Sequence, residues 1–210
     1  RQRQMCIRDR YSNLHILWQD ILKVDIPALV QAELPGLRPM ACANLPYYIT
    51  SPVLTALLEA RCFSSVTVMV QKEVAQRMAA APGSGDYSAF TVFCNYYAQP
   101  ELLFDVPPSC FLPQPKVTSS VVRLDIRQSP PRPVDDEALF FRVVRAAFAQ
   151  RRKTLLNSLS SALGGTYQKE AIANAIAQCG LPENIRGERL SISDFAALSK
   201  ALRRQETRSL

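Results

Sequence analysis

Over its first 126 residues the chain alternates short apolar runs with stretches of helical spacing, and beyond residue 134 only the helical spacing remains. The run at 14–18 reads as a strand, 27–32 as a short helix, 38–43 as a strand and 52–60 as a helix. Residues 65–70 are rich in β-branched side chains and predict another strand. A helix at 72–80, a loop at 82–86 and a helix at 88–97 follow, and strands at 102–106 and 119–126 bracket a proline-rich stretch. Strands alternating with helices predict an α/β fold, here a partial doubly wound sheet.

Residues 128–134 read as a linker, because three prolines in four positions suit neither a helix nor a central strand. After it, Leu139, Phe140, Val143, Val144, Ala147 and Phe148 recur at helical spacing and predict a core-facing stripe. Helices at 168–178 and 191–202 complete a small all-helical domain over 135–210, the last one capped by Ser191 with Asp194 in its first turn.

Composition narrows what such a molecule does. An apolar fraction of 48% in 210 residues is ordinary for a globular chain with one full domain and a small one. A net charge of +7 and a pI near 9.3 favour a polyanionic partner, nucleic acid ahead of a membrane surface. No apolar stretch reaches bilayer-spanning length and the start lacks the apolar core of a signal peptide, so the expected location is cytoplasmic. The six cysteines, at 6, 42, 62, 94, 110 and 179, form no Cys-x-x-Cys pair, and the single histidine, His15, sits in a strand pattern. Reduced, buried thiols and no metal are expected, and Ser-His-Asp or Cys-His hydrolysis lacks a base.

The most chemically specific segment is Asn44-Leu45-Pro46-Tyr47, directly after the 38–43 run. Pro46 lacks an N–H and ends the ladder, which places the tetrapeptide at the carboxyl end of a strand, the edge where open α/β sheets bind ligands. One reading is a turn, with Asn and Pro chosen for backbone shape. The other is a site for a flat base bearing an exocyclic amine. An adenine N6 lone pair is delocalised into the ring; two acceptors taking its protons, Asn44 Oδ1 and the carbonyl of Leu45 or Pro46, favour a pyramidal, nucleophilic nitrogen. Tyr47 then stacks on the ring, worth roughly 1–3 kcal/mol per base.

Asn44-Leu45-Pro46-Tyr47-Tyr48-Ile49-Thr50 resembles the substrate-amine motif of the ribosomal RNA adenine N6-dimethyltransferases of the KsgA type. The stretch from Pro107 through Phe111, Pro113, Pro115, Lys116 and Val117 to Ser119, Val122 and Arg123 resembles that family's second signature, and Ala147-Phe148-Ala149-Gln150-Arg151-Arg152-Lys153-Thr154-Leu155 a third. The likeness runs from about Asn13 to about Leu202. It implies a Rossmann-like methyltransferase sheet over 13–127 and an RNA-binding helical domain over 135–210. It further implies S-adenosylmethionine as methyl donor and two adjacent adenines near the 3′ end of small-subunit (16S) ribosomal RNA as target, with no metal. Asn44, Leu45, Pro46, Tyr47 and Phe111 are the implied catalytic set, Tyr47 and Phe111 sandwiching an extruded adenine. Asp20, Ile21 and Asn44 are implied cofactor contacts, Asp20 reading the cofactor's adenine. Lys116, Arg123, Arg151, Arg152 and Lys153 are expected to track phosphates, since residues 135–210 carry 12 Lys and Arg against 8 Asp and Glu. The implied partner is an immature small ribosomal subunit met by a monomer. The alternatives are a large-subunit RNA methylase of the antibiotic-resistance type and a non-catalytic assembly factor.

The family's Gly-rich strand-turn-helix, and the acid that holds the cofactor ribose, have no counterpart here; Gly83-Ser84-Gly85 lies in a loop. Residues 1–12 match nothing in the motifs and are expected to be a leader on an amino-terminally truncated fragment, one that exposes a sheet edge and binds S-adenosylmethionine poorly.

Overall fold

A computed structural model describes residue 11 and residues 13–206 of the chain, so the expected leader falls outside the described residues apart from Tyr11. Four strands, β1 (Met40–Asn44), β2 (Ser65–Gln71), β3 (Ala98–Val106) and β4 (Ser119–Ile126), form one sheet in the order β1-β2-β4-β3. β1 and β2 are parallel and joined by helix α2 (Thr50–Glu59), whereas β4 runs antiparallel to both β2 and β3. Helix α1 (Ile26–Glu33) precedes β1, with Asp25 capping it and Pro27 in its first turn, where a missing N–H costs nothing. Helices α3 (Lys72–Met78) and α4 (Ala89–Tyr97) lie between β2 and β3, and a capping box between Ser88 and Thr91 starts α4.

Strand alternation decides where the core lies. Val66, Val68 and Val70 of β2 and Val122 and Leu124 of β4 point to one face and are buried with Leu54 and Leu58 of α2, Met78 of α3 and Val92 of α4. On the opposite face Cys42, Arg123 and Phe104 stay exposed, Phe104 at 60%. The sheet is thus half of the doubly wound arrangement, one face covered and one open. Pro100 is tolerated because β3 is an edge strand, and a bulge between Leu102 and Phe104 re-aims the strand near the proline-rich loop.

Residues 14–18, expected to be a strand, carry no ladder. A strand needs a neighbour for its N–H and C=O groups, and among the described residues nothing pairs with the outer edge of β1. Leu17 and Trp18 are accordingly exposed, and His15 bonds Glu33 of α1.

Residues 127–136 contain no helix or strand. Beyond them come α5 (Glu137–Phe148), α6 (Leu155–Leu163), α7 (Lys169–Gln178) and α8 (Ile192–Glu206). Helix α6 has a cap at Thr154 and buried Leu155, Leu159 and Leu163 at a period of four. α5 is the hub: Phe140, Val143 and Val144 are fully buried, and Phe140 and Phe141 meet Tyr96 and Tyr97 of α4 with ring centroids 5.0 to 5.7 Å apart. Glu137, the first residue of α5, clasps the seam, accepting from Arg61 at 2.5 Å, from Tyr96 at 3.2 Å and from the Tyr97 hydroxyl. A 3-10 turn at Gly187–Arg189 presses on α5 so closely that a Cβ at Gly187 would sit 2.6 Å from the Ala147 carbonyl oxygen. Among the described residues no helix is long and apolar enough to cross a membrane.

Candidate active site

β1 delivers Asn44 to the carboxyl end of the parallel pair, and Leu45, buried in the core, anchors the chain just beyond it while its N–H bonds the Met69 carbonyl at 3.3 Å. Pro46 then turns the backbone into a 3-10 segment, Tyr47–Ile49, that runs straight into α2. The Pro46 carbonyl receives the Ile49 N–H at 3.1 Å and the Thr50 hydroxyl at 3.2 Å, which uses both lone pairs. The Leu45 carbonyl and the Asn44 amide meet no donor among the described residues. Of the two carbonyls proposed from sequence, the one able to receive an amine is therefore that of Leu45.

Across from this turn the chain leaves β3 through a 3-10 turn, Pro108–Cys110, in which the Phe111 N–H bonds the Pro108 carbonyl at 3.1 Å. Asn44, Leu45, Pro46, Tyr47 and Phe111 converge with Pro113 and Pro115 on one cleft of about 290 Å³. Two aromatic rings and two unsatisfied acceptors in a proline-braced cleft suit a flat heterocycle with an exocyclic amine. The Tyr47 hydroxyl is not free to join in: it bonds Ser119 Oγ at 2.8 Å, a contact that the spacing of the two motifs does not signal.

A larger cleft, about 530 Å³, opens at the amino ends of β1 and β2, lined in part by Arg38, Arg61, Tyr97 and Arg127. It holds none of the expected site residues, and ligands of open α/β sheets collect at the carboxyl ends instead.

Asp20 and Ile21 stand apart from the 290 Å³ cleft. Asp20 caps the 3-10 turn Ile21–Lys23, its Oδ1 accepting from the Leu22 N–H at 3.1 Å, which leaves Oδ2 as an acceptor; Ile21 is 37% exposed. These two suit the adenine end of a nucleoside cofactor, a carboxylate for its amino group beside an apolar surface. Among the described residues no group of three or more His, Cys, Asp or Glu could hold a metal ion.

The five expected phosphate contacts come from three parts of the fold: the proline-rich loop, β4 and the turn after α5. Lys116 is exposed in the proline-rich loop. Arg123 lies mid-strand on the open face and is held by Glu101 at 2.8 Å and Asp125 at 3.2 Å. Arg151, Arg152 and Lys153 occupy the turn between α5 and α6. Arg151 donates to the Gly85 carbonyl at 2.7 Å and lies 3.8 Å from Glu188, tying the 82–86 loop to the helices, while Arg152 and Lys153 are exposed.

Comparison with known proteins agrees with this geometry. The chain matches the family model described as ribosomal RNA adenine dimethylase over residues 4–202. It is 48% identical over 195 residues to the ribosomal RNA small subunit methyltransferase A of Geobacillus kaustophilus, covering 91% of this chain and 67% of that protein. It is 44% identical over 193 residues to the protein of the same name in Alkaliphilus oremlandii, with the same 91% and 67% coverage. The chain thus spans about two thirds of the length of the curated relatives it matches. Among solved structures, a dimethyladenosine transferase from Plasmodium falciparum superposes with a TM-score of 0.76 at 24% identity, covering 93% of this chain and 74% of that one. The 23S rRNA methyltransferase ErmE superposes with a TM-score of 0.62 at 21% identity, covering 96% and 78%, and both likenesses speak for the fold. With the matched family spanning the sheet, the cleft and the helices beyond residue 136, the chain belongs to the ribosomal RNA adenine dimethylases.

Proposed function

We propose that this chain carries the target-adenine side of an S-adenosylmethionine-dependent enzyme that dimethylates N6 of two adjacent adenines near the 3′ end of small-subunit ribosomal RNA. The observation that carries the reading is the convergence of Asn44, the free Leu45 carbonyl, Tyr47 and Phe111 on one cleft. Asn44 Oδ1 and the Leu45 carbonyl accept the two N6 protons and localise the nitrogen lone pair; Tyr47 and Phe111 hold the extruded ring between them. Pro46 contributes shape, its carbonyl being engaged within the turn. S-adenosylmethionine, when bound, supplies an electrophilic methyl group, and Asp20 and Ile21 are the residues of this chain that would hold its adenine. Catalysis by these groups is positioning of the amine.

Residues 13–127 form the methyltransferase half in this reading, 128–134 the linker and 135–210 the domain that grips RNA, acting as a monomer on immature small subunits in the cytoplasm. Arg152 and Lys153 meet phosphates directly, as does exposed Lys116, next in the chain to the cleft-lining Pro115.

The test is methylation of immature small ribosomal subunits by the 210-residue chain and, side by side, by a protein of its relatives' full length that carries it. N6-dimethyladenosine near the 3′ end of small-subunit RNA is expected from the longer protein, lost by on the order of 100-fold in Asn44→Ala. Label in large-subunit RNA, or RNA binding without transfer, would overturn the reading. With Asp20, Ile21 and Asn44 as its cofactor contacts, the 210-residue chain should bind S-adenosylhomocysteine more weakly than micromolar by calorimetry.

A further inference from the structure

We propose that Ser119 is a positioning residue for the Tyr47 ring, so that stacking on the target base depends on a side chain that never touches the base. The proposal rests on the reading of the 290 Å³ cleft as an adenine site.

The two hydroxyls are 2.8 Å apart and 72 residues apart in sequence. Ser119 is fully buried, opposite Gln71 of β2 on one side and Val106 of β3 on the other, so ladders hold its backbone from both flanks. Its neighbours tighten the same point. The Thr118 carbonyl accepts the Lys72 N–H at 3.0 Å, and Ser120 Oγ donates to Asp105 Oδ1 at 2.6 Å while Lys72 Nζ meets Asp105 Oδ2 at 2.6 Å. Ser119 Oγ is therefore a fixed point on the sheet.

Tyr47, by contrast, is 37% exposed and sits on a 3-10 segment of three residues. Its backbone alone leaves the ring free to swing about its two side-chain torsions. A bond at the para position fixes the far end of the ring and so the direction of its long axis beside Phe111, while the preference of a phenol O–H for the ring plane orients the face it offers. Phenylalanine at 47 would present the same face without the tether. The bond organises the stacking surface before the base arrives, which reduces the entropy lost on binding.

Two readouts test this on the 210-residue chain. The first is the NMR spectrum of protein labelled with ¹³C-tyrosine, without RNA: Ser119→Ala should move and broaden the Tyr47 ring resonances. The second is fluorescence of an oligonucleotide from the 3′ end of small-subunit RNA carrying 2-aminopurine at the target adenine, which the wild type should quench by stacking. Ser119→Ala and Tyr47→Phe should each relieve part of that quenching and weaken binding by about fivefold, the usual effect of one neutral hydrogen bond. The double variant should be no worse than either, since both remove the same bond. Tyr47→Phe changes a part-exposed ring and leaves the buried strand intact, so it reports even if Ser119→Ala folds poorly. Unmoved Tyr47 resonances, wild-type quenching in Ser119→Ala, or additive losses would overturn the proposal. An unquenched wild-type probe together with shifted Tyr47 resonances would instead uphold the tether and overturn the adenine reading.

Discussion

At the scale of single residues, the sharpest electrostatic statement concerns Glu137. Burial pulls its carboxyl upward, but hydrogen bonds from Tyr97 and Arg61 outweigh this and hold it below the usual carboxylate range. The Tyr96 hydroxyl beside it is pushed up to about 12, by burial first and by the Glu137 charge second. A carboxyl whose folded pKa is depressed contributes stability that is fully present above its unfolded pKa and lost as pH falls through the folded value. Thermal unfolding followed from pH 7 downward should therefore show the wild type losing stability below the ordinary carboxylate range. Glu137→Gln should start lower at neutral pH and lose less over the same acid span. Equal acid losses in the two proteins would remove Glu137 from its place at the seam between sheet and helices.

At the scale of elements, helix α6 depends on a local signal and a tertiary one. The Thr154 hydroxyl accepts the Asn157 N–H at 3.4 Å, and losing that cap in Thr154→Ala should cost about 1 kcal/mol. Leu159, fully buried between its neighbours, should cost about 2–5 kcal/mol when cut to alanine. Denaturant unfolding of the two variants checks the order: the cap effect should be the smaller. The same contrast explains why α6 escaped the sequence reading. Its stretch Leu-Leu-Asn-Ser-Leu-Ser-Ser-Ala-Leu has apolar residues every four positions but is diluted by small polar residues, and α5 and α7 bury it regardless of its modest propensity. The opposite error occurred at 14–18, where a good strand pattern found no ladder partner among the described residues.

At the scale of the whole molecule, the charge of +7 is distributed unevenly between structural and free cations. Arg61, Arg77, Arg123 and Arg151 each lie within 4 Å of a carboxylate, whereas Arg152 and Lys153 stand exposed on one turn. Binding of small-subunit RNA measured across salt concentrations should accordingly lose close to one unit of slope for Arg152→Ala and again for Lys153→Ala. Arg151→Ala should change the slope less and lower the melting temperature more, because it frees the loop held through the Gly85 carbonyl. An equal slope change for all three would make the cluster a uniform phosphate comb instead.

The alternation of strand and helix patterns, the irregular proline-rich stretch after β4, α5 and α8, and the turn from Asn44 to Tyr47 at the end of β1 were all legible in the chain, because periodicity, proline and capping residues act within a few neighbours. The resemblance also named Tyr47 and Phe111 together, and both line the 290 Å³ cleft. Tertiary structure alone decided which face of the sheet is covered, since parity says that two faces differ but not which helices reach them. It alone chose between the Leu45 and Pro46 carbonyls, because that choice turns on where the Ile49 N–H and the Thr50 hydroxyl point. And it alone tied Tyr47 to Ser119, a contact between residues 72 positions apart that exists only once β4 has been laid beside β2.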